Sequence, residues 1–277
     1  MSISTVNGVR LFWEQHGEQG SPLVLVHGSW GDHHNWDAVV PGLARTLQVF
    51  TYDRRGHSQS ERLATQGSIE EDVIDLAMFI RTNNLAPTHV AGNSFGAAIT
   101  LKCVAAQPDL FASVVVHEPP LLGMIQDHPI MPHVRERVRT VVETLKSGDA
   151  EMGARQFVEQ VALGPGMWAQ LPQSARETFV FNAPTWLDET NEPEGVITVD
   201  LARLATFPRP MLITQGTTSP PFFGVILDKI AAAVPQARHH TFHGAGHVPH
   251  LTHPEEYMKI VRRFIEQGTS AVSANDR

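Results

Sequence analysis

The stretch Val90-Ala91-Gly92-Asn93-Ser94-Phe95-Gly96 decides the fold. A β-prone run, Thr88 to Ala91, meets Gly92-Asn93-Ser94-Phe95-Gly96, and a helical run of small residues follows. Gly-x-Ser-x-Gly between a strand and a helix marks a sharp turn that presents a serine at the end of a sheet. The spacing has a steric cause. The serine is held in a strained backbone conformation, and only glycine-sized neighbours two residues to either side let strand and helix pack that closely. A lone match also fits a glycine-rich turn around a buried serine, so the flanking chain has to decide.

Upstream, Asn7-Gly8 reads as a hairpin turn between strands at Ile3 to Val6 and Val9 to Gln15. The continuous apolar run Pro22 to Val26 suits a strand covered on both faces and ends at His27-Gly28. A helix over Trp36 to Ala44 and a strand over Val49 to Tyr52 follow, the latter leading into Asp53-Arg54-Arg55-Gly56-His57-Ser58. Ser68-Ile69-Glu70-Glu71 is a capping box, with Ile69, Val73, Leu76 and Ile80 at helical spacing behind it. Downstream, a helix from Phe95 to about Gln107 and a strand from Ser113 to His117 are stopped by Pro119-Pro120. From Leu121 to Thr206 only helical signals appear: Val134 to Lys146, Ala150 to Leu163 and Ser174 to Asn182. Alternation then returns with a strand at Pro210 to Gln215, a helix at Phe222 to Val234 and a strand at Arg238 to Phe242. A last helix runs from Pro254 to about Gln267, before a frayed polar tail from Gly268. The pattern predicts an α/β core of residues 1–120 and 207–277, with a mostly parallel sheet and helices on both faces, and a helical insertion over 121–206.

Composition narrows the partners. A net charge of -8 without a basic run argues against nucleic acid. No apolar run is long enough to span a bilayer and no signal peptide opens the chain, so a cytoplasmic protein with no membrane partner is expected. Cys103 is the sole cysteine, which excludes an internal disulfide and suits a buried thiol. A homodimer is left open.

Four motifs together make the chain resemble the α/β-hydrolase-fold serine hydrolases along nearly its whole length. They are His27-Gly28-Ser29-Trp30-Gly31, Tyr52-Asp53-Arg54-Arg55-Gly56-His57-Ser58, Gly92-Asn93-Ser94-Phe95-Gly96 and Gly244-Ala245-Gly246-His247-Val248-Pro249-His250, each at the end of an expected strand. The resemblance implies an eight-stranded sheet with a helical lid, Ser94 as nucleophile and His247 as its base. It also implies an oxyanion hole formed by the backbone N–H groups of Ser29 and Phe95. A serine hydroxyl needs such a base to attack, and the developing oxyanion needs two fixed donors. Asp53-Arg54-Arg55-Gly56 is read as structural, with His27 supporting its loop.

The acid departs from the family's commonest pattern. Where Gly-x-x-Asp is usual after the seventh strand, the chain reads Gly216-Thr217-Thr218-Ser219, and a serine cannot stabilise an imidazolium by charge. The family's alternative is a carboxylate after the sixth strand, which points to Glu118 in His117-Glu118-Pro119-Pro120; the competing reading is that Glu118 caps the strand end or forms a salt bridge. Asp228, about two turns into the next helix, is a weaker candidate. His-Glu-x-Pro there, with Thr218-Ser219-Pro220-Pro221-Phe222-Phe223 after strand seven, is locally similar to lactonases that open zearalenone-type macrocyclic lactones.

His243, His247, His250 and His253 invite a metal-site reading. Gly244 and Gly246 break any helical pairing and no cysteine or carboxylate lies between them, so neither a metal nor an organic cofactor is expected. His243, His250 and His253 are read as loop polarity, and His33, His34, His239 and His240 as surface residues. Trp30, Met124, Trp168, Trp186, Phe222 and Val248 are the expected substrate-binding side chains. The lid's apolar and aromatic content, with no Arg or Lys cluster, favours a small apolar or aromatic ester or lactone. Hydrolysis through an acyl-enzyme is the expected reaction. Carbon–carbon bond hydrolysis and cofactor-free perhydrolysis use the same triad, and a receptor that kept the fold with slow turnover is a reading of another class.

Overall fold

A computed structural model describes residues 1–64, 68–190 and 196–275, with side chains as far as 268. Eight strands form one sheet: β1 (Ser2–Val6), β2 (Val9–His16), β3 (Pro22–Val26), β4 (Gln48–Tyr52), β5 (Thr88–Asn93), β6 (Phe111–His117), β7 (Met211–Gly216) and β8 (Arg238–Phe242). Their order is β1-β2-β4-β3-β5-β6-β7-β8. The pairs β1 with β2 and β2 with β4 are antiparallel, and the other five are parallel. Asn7 and Gly8 both take positive φ, 45° and 76°, as the tight hairpin between β1 and β2 requires.

The central strands are apolar throughout because both faces are covered. On β3, Val24 and Val26 face a cluster shared with α1 (Ile69–Thr82), α2 (Phe95–Ala106) and α6 (Pro221–Ala233). Leu23 and Leu25 face the opposite cluster, built with Trp36, Leu43 and the α7 (Pro254–Asn275) residues Tyr257, Val261 and Phe264. Between β6 and β7 lie α3 (Met131–Lys146), α4 (Ala150–Gln156) and α5 (Gln173–Glu189), which share a third cluster with Trp30. Residues 191–195 of the expected insertion lie outside the described residues. No described helix is long and apolar enough to cross a membrane.

Several element boundaries differ from the sequence reading. The helix expected over Trp36 to Ala44 is a 3₁₀ turn, His33–Trp36, capped by Asp32, followed by a one-turn helix, Val40–Leu43. Pro41 has no N–H to continue the first into the second. α4 stops at Gln156 and gives way to π-helical Phe157–Ala162. α5 continues beyond Asn182 to Glu189 across Pro184, and α7 passes through Gly268, buried against Pro210, to Asn275. Residues 276 and 277 of the expected tail lie outside the described residues.

Candidate active site

The elbow after β5 shows why its glycines are needed. A Cβ on Gly96 would fall on the carbonyl oxygens of Val26 and His27, and one on Gly92 would meet Gly96 O and Thr100 Oγ1. α2 can therefore pack directly on the end of β3. Ser94 between them takes φ 55° and ψ -124°, a strained conformation for a residue with a side chain. Its N–H donates to His117 O at 2.9 Å, so the elbow is tied to the end of β6.

Glu118, the next residue after β6, also has positive φ, 47°, and is fully buried. That turn sends its carboxylate to the histidine loop. Oε2 accepts from His247 Nδ1 at 2.7 Å, and Oε1 accepts from Gly216 N–H at 2.7 Å. Burial works to raise its pKa, but His117 and His247 prevail and hold the carboxyl well below its usual range. His117 Nε2 stands 3.5 Å from Oε2, and His117 Nδ1 lies 2.9 Å from Thr214 Oγ1. Gly216 begins the segment where the family's commonest pattern has its acid. Here that segment contributes a backbone donor to Glu118, while among the described residues Ser219 Oγ has no partner and Asp228 is exposed on α6.

The His247 ring is stacked on Phe223, with centroids 4.3 Å apart and planes 18° apart, and its carbonyl accepts from Asn93 Nδ2 at 2.9 Å. Ring and loop are thus both fixed from the elbow side and from α6. Ser94 and His247 line the same cavity. Among the described residues no hydrogen bond joins Ser94 Oγ to His247; nucleophile and base often stand further apart before substrate binds.

Ser29 and Phe95 line that cavity too. Phe95 is the first residue of α2, so its N–H has no partner inside the helix. Gly28 brings the other loop up: a Cβ there would stand 3.0 Å from Ser94 Cβ. His27 fixes this loop. Burial pushes its pKa down to about 3, so the ring is neutral; Nε2 accepts from Arg54 N–H at 2.9 Å, which leaves Nδ1–H to donate to Gly28 O at 2.8 Å.

The cavity measures about 150 Å³, a scale that accepts a benzene-sized group. Trp186, Phe222, Phe223, Phe157, Val134 and Val138 supply apolar wall. Of the expected substrate-binding residues, Trp186 and Phe222 reach it. Trp30 does not: with φ 66° it turns away and stacks at 5.1 Å on Phe157 and 6.3 Å on Phe179, within the helical cluster that also takes Trp168. Met124, in a 3₁₀ turn that contacts α6, packs against the larger core cluster, and Val248 is half-buried outside the cavity wall.

Two histidine readings are corrected. His33 is buried, its Nδ1 2.6 Å from Asp53 Oδ1, and His250 is buried with its ring 4.5 Å from that of Trp36. Among the described residues, the groups with metal-like spacing are His117-Glu118-His247 and Asp32-His33-Asp53, neither using His243, His250 or His253. Sequence reasoning passed over Phe223, Asn93 and Glu189. Asn93 and Phe223 were quoted inside motifs without a role. Glu189 lay beyond the expected end of its helix, so nothing directed it to the cavity it lines.

A model of the alpha/beta hydrolase family matches residues 23–260. The esterase YbfF of Escherichia coli is 24% identical over 264 residues, covering 93% of this chain and 98% of that protein. A thermophilic esterase structure from Thermogutta terrifontis superposes with a TM-score of 0.78 at 20% identity, over 96% of this chain and 99% of the other. The enol-lactonase of Burkholderia xenovorans gives 0.76 at 20% identity, over 96% and 100%. At such identity these structures carry the fold alone. None of the three is a zearalenone-type lactonase, and that likeness rests on the local motifs. With its eight-stranded sheet, strained serine elbow and family match over residues 23–260, the chain belongs to the alpha/beta hydrolase family.

Proposed function

We propose that the protein is a serine hydrolase of small apolar or aromatic carboxylic esters or lactones. The observation that carries this reading is the Glu118 Oε2 to His247 Nδ1 hydrogen bond, 2.7 Å, behind an apolar cavity that Ser94 also lines. In the proposed reaction Ser94 Oγ attacks the substrate carbonyl and passes its proton to His247 Nε2. Glu118 accepts from Nδ1–H and stabilises the imidazolium. The N–H groups of Ser29 and Phe95 hold the oxyanion. His247 then protonates the leaving oxygen, and water, activated by the same ring, releases the acid. The helices between β6 and β7 act as the lid. An esterase and an enol-lactonase stand among the similar proteins, which is in keeping with this substrate class.

The test is hydrolysis of p-nitrophenyl esters and aryl lactones, beside a vinylogous diketone and acetate with peroxide. Esters or lactones are expected to be the best substrates, Ser94→Ala to be inactive, and an acyl group to be found on Ser94 by mass spectrometry. Diketone cleavage or perhydrolysis outpacing ester hydrolysis, or turnover surviving in Ser94→Ala, would contradict it.

A further inference from the structure

The ring of His117 is fully buried and takes no part in the proton transfers proposed above. It closes β6 after Val114, Val115 and Val116, which are buried apolar side chains. A fourth valine there would bury no polar atom, so an imidazole in that place asks for a reason. Its neighbours supply one. Nε2 stands 3.5 Å from Glu118 Oε2, the oxygen that also accepts from His247 Nδ1. The contact falls short of a well-aligned hydrogen bond and sets a ring nitrogen against a carboxylate. At the other side of the ring, Nδ1 lies 2.9 Å from Thr214 Oγ1. The titratable groups that act on the ring are Glu118, His247 and, from the turn after it, His250, all buried.

Burial lowers the pKa of His117, so near neutral pH the ring carries a single proton. Its partners decide which nitrogen holds it. A bare Nε2 would set a lone pair against the anionic Oε2, whereas Nε2–H sets the positive end of a bond dipole there. Thr214 allows the second arrangement, because a hydroxyl donates to a bare Nδ1 as readily as it accepts from Nδ1–H. The other acceptor for that hydroxyl, Val116 O, is further away at 3.1 Å. The Nε2–H tautomer is therefore favoured. Such a donor matters more for a glutamate than for the aspartate usual after β7. Glutamate has one more rotatable bond, so its carboxylate has more ways to turn from the histidine. Gly216 N–H ties Oε1. His117 flanks Oε2.

We propose that His117 is a positioning residue for the hydrolysis: its Nε2–H, set by Thr214, holds the Glu118 carboxylate turned toward His247, as a third donor beside His247 Nδ1–H and Gly216 N–H. The inference rests on the Ser94, His247 and Glu118 triad of the hydrolase reading above. It adds to that triad a fourth side chain on which the placement of the acid depends.

The first measurement is histidine ring-nitrogen NMR on the isotope-labelled native protein near neutral pH, with His117 assigned through the backbone from Val116. A protonated Nε2 and a bare Nδ1 are expected; a bare Nε2 overturns the proposal, and neither turnover nor a folded variant is needed to see it. The second is p-nitrophenyl ester kinetics in two variants. His117→Leu fills similar space without a donor, while the amide nitrogen of His117→Gln reaches the place of Nε2. In His117→Leu kcat is expected to fall by about 10–100-fold with KM within about twofold of native, and His117→Gln should recover to within about fivefold of native. A role in packing alone would not separate a donor from its apolar counterpart in this way. Native kcat in His117→Leu, or an equal loss in two folded variants, overturns the proposal. If the native protein hydrolyses no ester while Nε2 is protonated, the hydrolase reading fails and the contact of His117 with Glu118 stands.

Discussion

Trp30, Ser94 and Glu118 take φ values of 66°, 55° and 47° at the ends of β3, β5 and β6. Each such residue costs about 1–3 kcal/mol and persists only where the surroundings impose it. The positive φ decides where each side chain goes: Ser94 to the cavity, Glu118 to His247, and Trp30 into the aromatic cluster above the sheet. The last outcome is testable. Trp30→Ala should destabilise the fold by about 3–5 kcal/mol in urea unfolding, as expected for a buried aromatic, while KM for a small ester changes little. A large rise in KM at unchanged stability would instead put Trp30 in the substrate site. The placing of Glu118 beside His247 could be anticipated because Ser219 carries no charge and the resemblance offered a carboxylate after the sixth strand. That of Trp30 could not, because the sign of a backbone angle does not show in residue type and all lid aromatics look alike in composition. Glu189 was hidden for another reason: the helix expected to end at Asn182 runs on through Pro184 to Glu189.

Elements bring these residues together by short, specific ties. α5 is held to the core loops by Asn182, whose Nδ2 donates to Gly31 O at 2.9 Å and Trp30 O at 3.2 Å, and whose Oδ1 accepts from Ser58 N–H at 2.8 Å. Thr185 Oγ1 meets His57 Nε2 at 3.0 Å, and Glu189 meets Arg54. The loop carrying Ser29 is therefore positioned partly from α5. Asn182→Ala leaves buried backbone groups unpaired and should cost about 2–3 kcal/mol of stability. It should also lower kcat/KM, since the Ser29 loop loses its upper support; unchanged kinetics with full loss of stability would separate the two. The strands and the elbow were readable because both-face burial and steric packing leave period and glycine signals. The breaks at Pro41 and Gln156 were less so, because they depend on caps and packing partners distant in sequence.

Across the whole molecule, buried charge makes stability depend on pH. The Glu118 pKa is held below its ordinary 4.5 in the folded chain. Its ionised form therefore contributes stability that is present above the unfolded value and lost as pH falls from about 4.5 through the folded one. Glu118→Gln should flatten this part of the acid-unfolding curve, measured as melting temperature against pH; a slope equal to the native protein's would show that the His247 interaction does not hold the carboxylate ionised. Cys103, buried in α2, has its pKa pushed up to about 12 by burial, so the folded protein should not react with a thiol reagent until it is unfolded.

The central claim is that the acid after β6 replaces the one usually found after β7. It is tested most directly by kcat for p-nitrophenyl ester hydrolysis in Glu118→Gln and Ser219→Ala, with folding checked by circular dichroism. Loss of the charge that orients and stabilises the His247 imidazolium is expected to lower kcat by about 10³–10⁴-fold in Glu118→Gln, while Ser219→Ala stays within about threefold of the native enzyme. Near-native turnover in Glu118→Gln, or an equal loss in Ser219→Ala, would contradict it.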